Sequence, residues 1–102
     1  MEVWREEQLA AAIDSGQPFC FYLFTPLCGT CHVASKILDV TEKLMPQFMM
    51  GKADLNYMPE IAETYQIESV PCLLLFTNGE LQKKIYAFKS VPYIYEILKK
   101  LA

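Results

Sequence analysis

Two cysteines, Cys28 and Cys31, stand two residues apart where an apolar run gives way to an amphipathic segment. Thiols at this spacing can close a disulfide within the first turn of a helix. The unpaired N–H groups and the positive end of the macrodipole at a helix N-terminus stabilise a thiolate. The pattern predicts a nucleophilic thiolate on Cys28 and a more buried resolving thiol on Cys31. The other interpretation is a pair of buried structural cysteines.

The segments on either side of this pair predict a βαβ unit. Residues 19–24 (FCFYLF) are apolar without alternation, as in a parallel strand that is covered on both faces. Residues 29–45 show helical periodicity, and residues 48–55 form the next parallel strand after a right-handed crossover. The predicted inner face of this helix consists of Val33, Ala34, Ile37, Leu38, Thr41, Leu44 and Met45.

The rest of the chain supplies the flanking elements. Asn78-Gly79 predicts a type I′ hairpin turn between two strands, and Ser90 is suited to cap the last helix. The other predicted elements are an edge strand near Val3-Trp4, a helix over 6–14, a short helix or turn over 59–65, and strands over 72–76 and 81–88.

Three stretches together resemble the thioredoxin superfamily: residues 25–39 (TPLCGTCHVASKILD), 52–56 (KADLN) and 70–80 (VPCLLLFTNGE). A CxxC motif alone is weakly specific, but a CxxC followed by Val-Pro, an apolar strand and Asn-Gly is strongly specific. The match runs from about Pro18 to the C-terminus. It implies an α/β thioredoxin fold, with a central four- to five-stranded mixed sheet flanked by helices on both faces. We expect a single domain over residues 1–102.

The resemblance also implies the site residues. Cys28 and Cys31 take the catalytic positions, and Val70-Pro71 stands where the family has a cis proline that faces the CxxC motif across a groove. A cis bond there exposes backbone to an extended substrate segment. The expected substrate-binding residues are Leu27, Gly29, Thr30, Val70 and Pro71.

The chain departs from the family pattern near the cysteines. Tyr22 stands where thioredoxins usually have a buried aspartate, so Lys52 lacks its customary acidic partner. Without that base for Cys31, we expect resolution of a mixed disulfide to be slow near neutral pH. Gly29-Thr30 replaces Gly-Pro, which frees an N–H at residue 30 that can stabilise the Cys28 thiolate. This favours a more oxidising disulfide than in ordinary thioredoxins.

The remaining cysteines and the single histidine leave alternatives open. Cys20 and Cys72 lie in apolar runs, where a free cysteine behaves as a small hydrophobe. Cys72 follows Pro71, so it is also a candidate for an alternative disulfide or for a metal or iron–sulfur ligand. Residues 28–32 (CGTCH) match the c-type haem attachment pattern, but no signal peptide accompanies them. We therefore expect no metal and no cofactor.

The bulk composition limits the function classes. The chain has 102 residues with a net charge of −3 and no basic cluster, which argues against a nucleic-acid surface. No apolar run approaches the roughly 18 residues of a membrane span. The N-terminal residues lack a signal-peptide pattern, so we expect a cytoplasmic location. We also expect the chain to be a monomer.

Two classes of function are compatible with these features. The first is a thiol–disulfide oxidoreductase acting on protein disulfides, recycled by a thioredoxin reductase-like enzyme or a small thiol. The alternative is a thioredoxin-fold module that binds a partner and carries a regulatory or vestigial CxxC.

Overall fold

A mixed sheet with helices on both faces forms the centre of the molecule, and the computed structural model describes all residues, Met1–Ala102. The strands are β1 (Glu2–Val3), β2 (Phe19–Phe24), β3 (Met49–Asp54), β4 (Cys72–Thr77) and β5 (Glu80–Ile85); the helices are α1 (Glu6–Ser15), α2 (Gly29–Leu44), α3 (Pro59–Thr64) and α4 (Val91–Leu101). A 3₁₀ turn, Leu55–Tyr57, follows β3. The five strands are ordered β1-β3-β2-β4-β5. The predicted fold class is confirmed.

Strand β2 occupies the middle of this sheet. It pairs in parallel with β3 and antiparallel with β4. Because alternate side chains of a strand point to opposite faces, Phe19, Phe21 and Leu23 enter the core beneath α1 and α3. Cys20 and Tyr22 enter the other core, beneath α2 and α4. Both faces are covered, which explains why this strand has no polar residue facing solvent.

The β4–β5 connection has the predicted hairpin geometry. Asn78 and Gly79 both have positive φ, 54° and 77°, as a type I′ turn requires. Thr77 pairs with Glu80 across the turn. Strand β5 ends at Ile85, three residues before the predicted end, since residues 86–89 leave the sheet and run beside the N-terminal half of α2.

The predicted inner face of α2 was too wide. Its buried residues are Cys31, Ala34, Leu38 and Thr41. Val33 and Leu44 are instead 63% and 55% exposed. At 3.6 residues per turn both side chains are rotated by roughly 100° or more from the middle of the buried stripe, so hydrophobic type alone placed them wrongly. No helix combines the length and the apolar character that a membrane crossing requires.

A close contact between Trp4 and Gly51 joins the N-terminal segment to the sheet. The Trp4 N–H donates to the Lys52 carbonyl at 2.8 Å, and the indole is buried. Its ring lies 5.7 Å from those of both Phe19 and Phe21, measured between centroids. A Cβ atom on residue 51 would overlap the indole. The Trp4 ring therefore leaves room only for glycine at residue 51.

We expect Gly51→Ala to lower the free energy of unfolding by about 1–3 kcal/mol, the usual cost of overfilling a packed core. Urea denaturation measures the change. Gly29→Ala is the matched control, because a Cβ there meets no atom within 4 Å. A Gly51→Ala protein as stable as Gly29→Ala would show that Trp4 is not held against the sheet.

Candidate active site

The two cysteines lie where β2 passes into α2. Cys28 is the N-cap residue of α2 and is half-buried, while Cys31 lies in the first turn and is 3% exposed. Their sulfurs form a disulfide, with 5.2 Å between the two Cα atoms. The Cys28 N–H donates to the Thr25 carbonyl at 3.3 Å, which closes the turn that brings the chain from the strand to the helix.

The sulfur of Cys28 has polar neighbours suited to a thiolate. The Cys31 N–H donates to it at 3.2 Å, and the Thr30 hydroxyl lies 3.3 Å away. The nearest N–H donor is therefore that of Cys31, and Thr30 approaches with its side chain rather than with its freed backbone N–H. Helix N-terminal donors of this kind favour the ionised sulfur.

Val70 and Pro71 lie beside Cys28 and line a groove next to it. The peptide bond between them is cis, and the Val70 carbonyl oxygen lies 3.8 Å from the Cys28 sulfur. The groove has a volume of about 480 Å³ and is mostly apolar. Its walls are the first two turns of α2 on one side and residues 86–89 on the other, with Val70 and Pro71 between them.

The structure brings most of the residues expected at the site together. Thr30, Val70 and Pro71 line the groove beside Cys28. Leu27 and Gly29 do not line it. Leu27 is 99% exposed on the rim of the active-site turn, and a Cβ on Gly29 would point into open space.

Two parts of the groove were not found from the sequence. Val33, predicted on the inner face of α2, lines the groove and is exposed. Residues 86–88, predicted as the end of the last strand, form a groove wall together with Lys89, which has a positive φ of 61°. No local sequence pattern indicates a lysine with left-handed backbone geometry. This wall of the groove therefore could not be predicted from the sequence.

Tyr22 lies beneath the first turn of α2. Its hydroxyl donates to the Cys31 carbonyl at 2.9 Å and lies 3.1 Å from the Ser35 hydroxyl. Burial raises the pKa of the Tyr22 phenol; the hydrogen bond with Ser35 lowers it and the charge of Asp39 raises it further. The phenol therefore stays protonated at neutral pH.

Cys72 belongs to the core on the opposite side of the sheet from α2. It is fully buried in the cluster that contains Leu23, Leu74 and Phe76. Burial raises the pKa of the Cys72 thiol to about 11, an effect that the Tyr86 hydroxyl and the Lys84 ammonium reduce. The structure thus places Cys72 as a core residue. No group of three or more His, Cys, Asp and Glu side chains is arranged to hold a metal ion.

The family model described as Thioredoxin matches residues 2–100. The chain belongs to the thioredoxin family. It is 48% identical over 81 residues to the thioredoxin-like protein YusE of Bacillus subtilis, covering 79% of this chain and 76% of that protein. It is 27% identical over 91 residues to a bifunctional thioredoxin reductase/thioredoxin of Mycobacterium leprae, covering 88% of this chain and 20% of that one.

The solved structures agree on the fold. The X-ray structure of Fasciola hepatica thioredoxin superposes with a TM-score of 0.86 at 18% identity, and each chain is covered over 100% of its length. At that identity the likeness concerns the arrangement of strands and helices. It places the CxxC pair of this chain on a thioredoxin scaffold.

Because the Cys72 thiol is buried, we expect the free energy of unfolding to fall in alkali. Its pKa rises from 9.0 to about 11 on folding. Between those values the unfolded chain binds fewer protons than the folded one, so the free energy of unfolding falls as pH rises. Urea denaturation from pH 8 to 11 measures this slope, and Cys72→Ala should be less stable than the parent at pH 8 but decline less steeply.

The control for this comparison is Leu74→Val, a cavity variant in the same core without a titrating group. Its stability should lie below that of the parent by a constant amount across the whole range. Parallel curves for the parent and for Cys72→Ala would show that Cys72 ionises as readily in the folded chain as in the unfolded one.

Proposed function

We propose that this chain is a thiol–disulfide oxidoreductase that reduces or exchanges protein disulfides through Cys28 and Cys31. One observation carries the proposal. The Cys28 sulfur caps α2 and accepts the Cys31 N–H at 3.2 Å, while Cys31 is buried one turn further and is disulfide-bonded to Cys28. This arrangement supports Cys28 as the sulfur that meets an external partner and Cys31 as the sulfur that resolves the intermediate.

The reaction takes two exchange steps. The Cys28 thiolate attacks one sulfur of a substrate disulfide; that bond breaks, a Cys28–substrate disulfide forms, and one substrate thiolate leaves. Cys31 then loses its proton and attacks the Cys28 sulfur, which releases the second substrate thiolate and closes the 28–31 disulfide. Two electrons pass to the substrate, and two protons complete its thiols. No cofactor takes part.

The groove is the proposed binding surface for the substrate chain. The Val70 carbonyl, 3.8 Å from the Cys28 sulfur, offers a backbone acceptor to an extended segment that lies along it. Thr30 and Pro71 border the same place. Leu27 and Gly29 stand on the exposed turn before and after Cys28, where an approaching protein surface meets them first.

The reduced pair must be regenerated by an external dithiol. A thioredoxin reductase-like enzyme or a small thiol has the required chemistry, and the name of the Mycobacterium leprae relative joins a reductase and a thioredoxin in one protein. We take residues 1–102 to act as one domain in this cycle.

The alternative function is partner binding through the same groove without turnover. Tyr22 favours it, because no carboxylate is buried in the core where it could deprotonate Cys31. The retained CxxC pair, joined as a disulfide beside the groove, favours the oxidoreductase. Turnover separates the two functions.

Insulin reduction with dithiothreitol as the electron source is the direct test. We expect the chain to accelerate precipitation of the insulin B chain, and Cys28→Ser to give only the background rate of dithiothreitol. Cys20→Ala serves as the control, because Cys20 is buried in the core away from the groove. Equal rates for the unmodified chain and Cys28→Ser would reject the enzyme and leave the binding module.

The roles of the two thiols predict opposite trapping behaviour. Cys31→Ser should accumulate a stable mixed disulfide through Cys28, because the second step is blocked, whereas Cys28→Ser should trap almost nothing. Mass spectrometry of adducts and alkylation rates of each variant between pH 5 and 9 measure this. Faster alkylation of Cys31 than of Cys28 at pH 7 would reverse the assignment.

A further inference from the structure

Tyr22 makes a buried polar link between the central strand and the helix that carries the cysteines. The residue is 1% exposed and sits in the middle of β2. Its ring packs against those of Phe24 and Phe88, at 5.7 Å and 5.8 Å between centroids. Its hydroxyl bonds with the Cys31 carbonyl and the Ser35 hydroxyl are the side-chain hydrogen bonds that join β2 to α2.

The direction of these bonds follows from their geometry. The Tyr22 hydroxyl has one hydrogen and gives it to the Cys31 carbonyl, 2.9 Å away, so it accepts from the Ser35 hydroxyl at 3.1 Å. In an α-helix the carbonyl of residue 31 also accepts the N–H of residue 35. Two donors from two different elements therefore meet at the oxygen of the residue that bears the resolving sulfur.

This position matters because helix ends fray. Cys31 lies in the first turn of α2, directly after the exposed turn that holds Pro26 and Leu27. When Cys28 is joined to a substrate, the Cys31 sulfur must remain close enough to attack it. The rate and the equilibrium of that ring closure depend on how narrowly the two sulfurs are positioned, which is an effective-concentration effect.

We propose that Tyr22 is a positioning residue for the resolving cysteine: through the Cys31 carbonyl, and supported by Ser35, its hydroxyl holds the first turn of α2 where the Cys31 sulfur closes on Cys28. The inference rests on the proposed function, and it assigns to Tyr22 a mechanical task rather than proton transfer.

The charged groups around Tyr22 agree with such a neutral role. The negative charge of Asp39, an exposed residue of α2, acts on Tyr22, and Lys52 is the partner of Tyr22 in register on β3. The Lys52 ammonium lies 5.8 Å from the centre of the Phe24 ring. With its pKa raised by burial, the phenol remains a hydrogen-bond donor from pH 6 to pH 9, so its effect should not vary over that range.

The first experiment measures the 28–31 equilibrium with reduced and oxidised glutathione. In Tyr22→Phe, which keeps the ring and removes the hydroxyl, we expect the effective concentration of Cys31 toward Cys28 to fall about three- to tenfold, equally at pH 7 and pH 9. For a two-electron couple this makes the disulfide about 15–30 mV more oxidising. Ser35→Ala, which keeps the bond from Tyr22 to Cys31, should give a smaller change in the same direction.

The second experiment separates the two chemical steps with Ellman's reagent. The reduced chain releases one thionitrobenzoate when Cys28 attacks and a second when Cys31 closes the disulfide. Tyr22→Phe should leave the first rate unchanged and slow the second by the factor measured with glutathione. The Cys31→Ser variant can perform only the first step. Its single phase therefore identifies the first phase of the unmodified chain, and the remaining phase is the second step.

The outcomes distinguish this inference from the proposed function. A parent chain whose 28–31 pair does not exchange with glutathione would reject the oxidoreductase, and the inference with it. A normal parent with an unaltered second step in Tyr22→Phe would reject the inference alone. So would an equal slowing of both steps, which indicates general damage, or an effect that appears only at one pH, which indicates proton transfer.

Discussion

Burial of β2 on both faces is the constraint on which the other features depend. A strand in the middle of a sheet must satisfy two cores at once, and here alternate residues do so, with Phe21 on one side and Tyr22 on the other. Pro26 cannot donate to a ladder, so the strand cannot continue far past Phe24. The chain turns at Thr25 and enters α2 at Cys28. The position of the cysteines thus follows from where a doubly covered strand has to stop.

That junction makes the two sulfurs unequal. Cys28 precedes the helix, where the first N–H groups have no partner in the helix itself, and its sulfur accepts the one from Cys31. Cys31 lies within the first turn and faces the sheet, so solvent barely reaches it. A half-buried sulfur with helix N-terminal polar neighbours and a sheltered sulfur therefore arise from the same turn.

The sequence predicts local features well and long-range ones poorly. The run 19–24, the Asn78-Gly79 turn and the CxxC pair each have a signal within a few residues, and the structure has them where expected. The groove wall at 86–89 and the overlap that excludes a side chain at Gly51 depend on residues far apart in the chain. Val33 shows the limit of helical periodicity. The pattern identifies the apolar residues of a helix but not which of them stay exposed to solvent.

Tyr22 places a phenol at a buried position, and a phenol and a carboxylate need different partners when they are buried. A carboxylate in a core needs partners for its charge, since an unpaired buried charge is far more costly than an unpaired hydroxyl. A phenol needs only hydrogen-bond partners, and no buried side-chain polar atom in this molecule lacks one. Compared with a carboxylate at this position, the phenol offers Cys31 no base but gives a bond of fixed direction to the Cys31 carbonyl. Under the proposed mechanism, the core contributes to the second exchange step by holding the Cys31 sulfur close to Cys28.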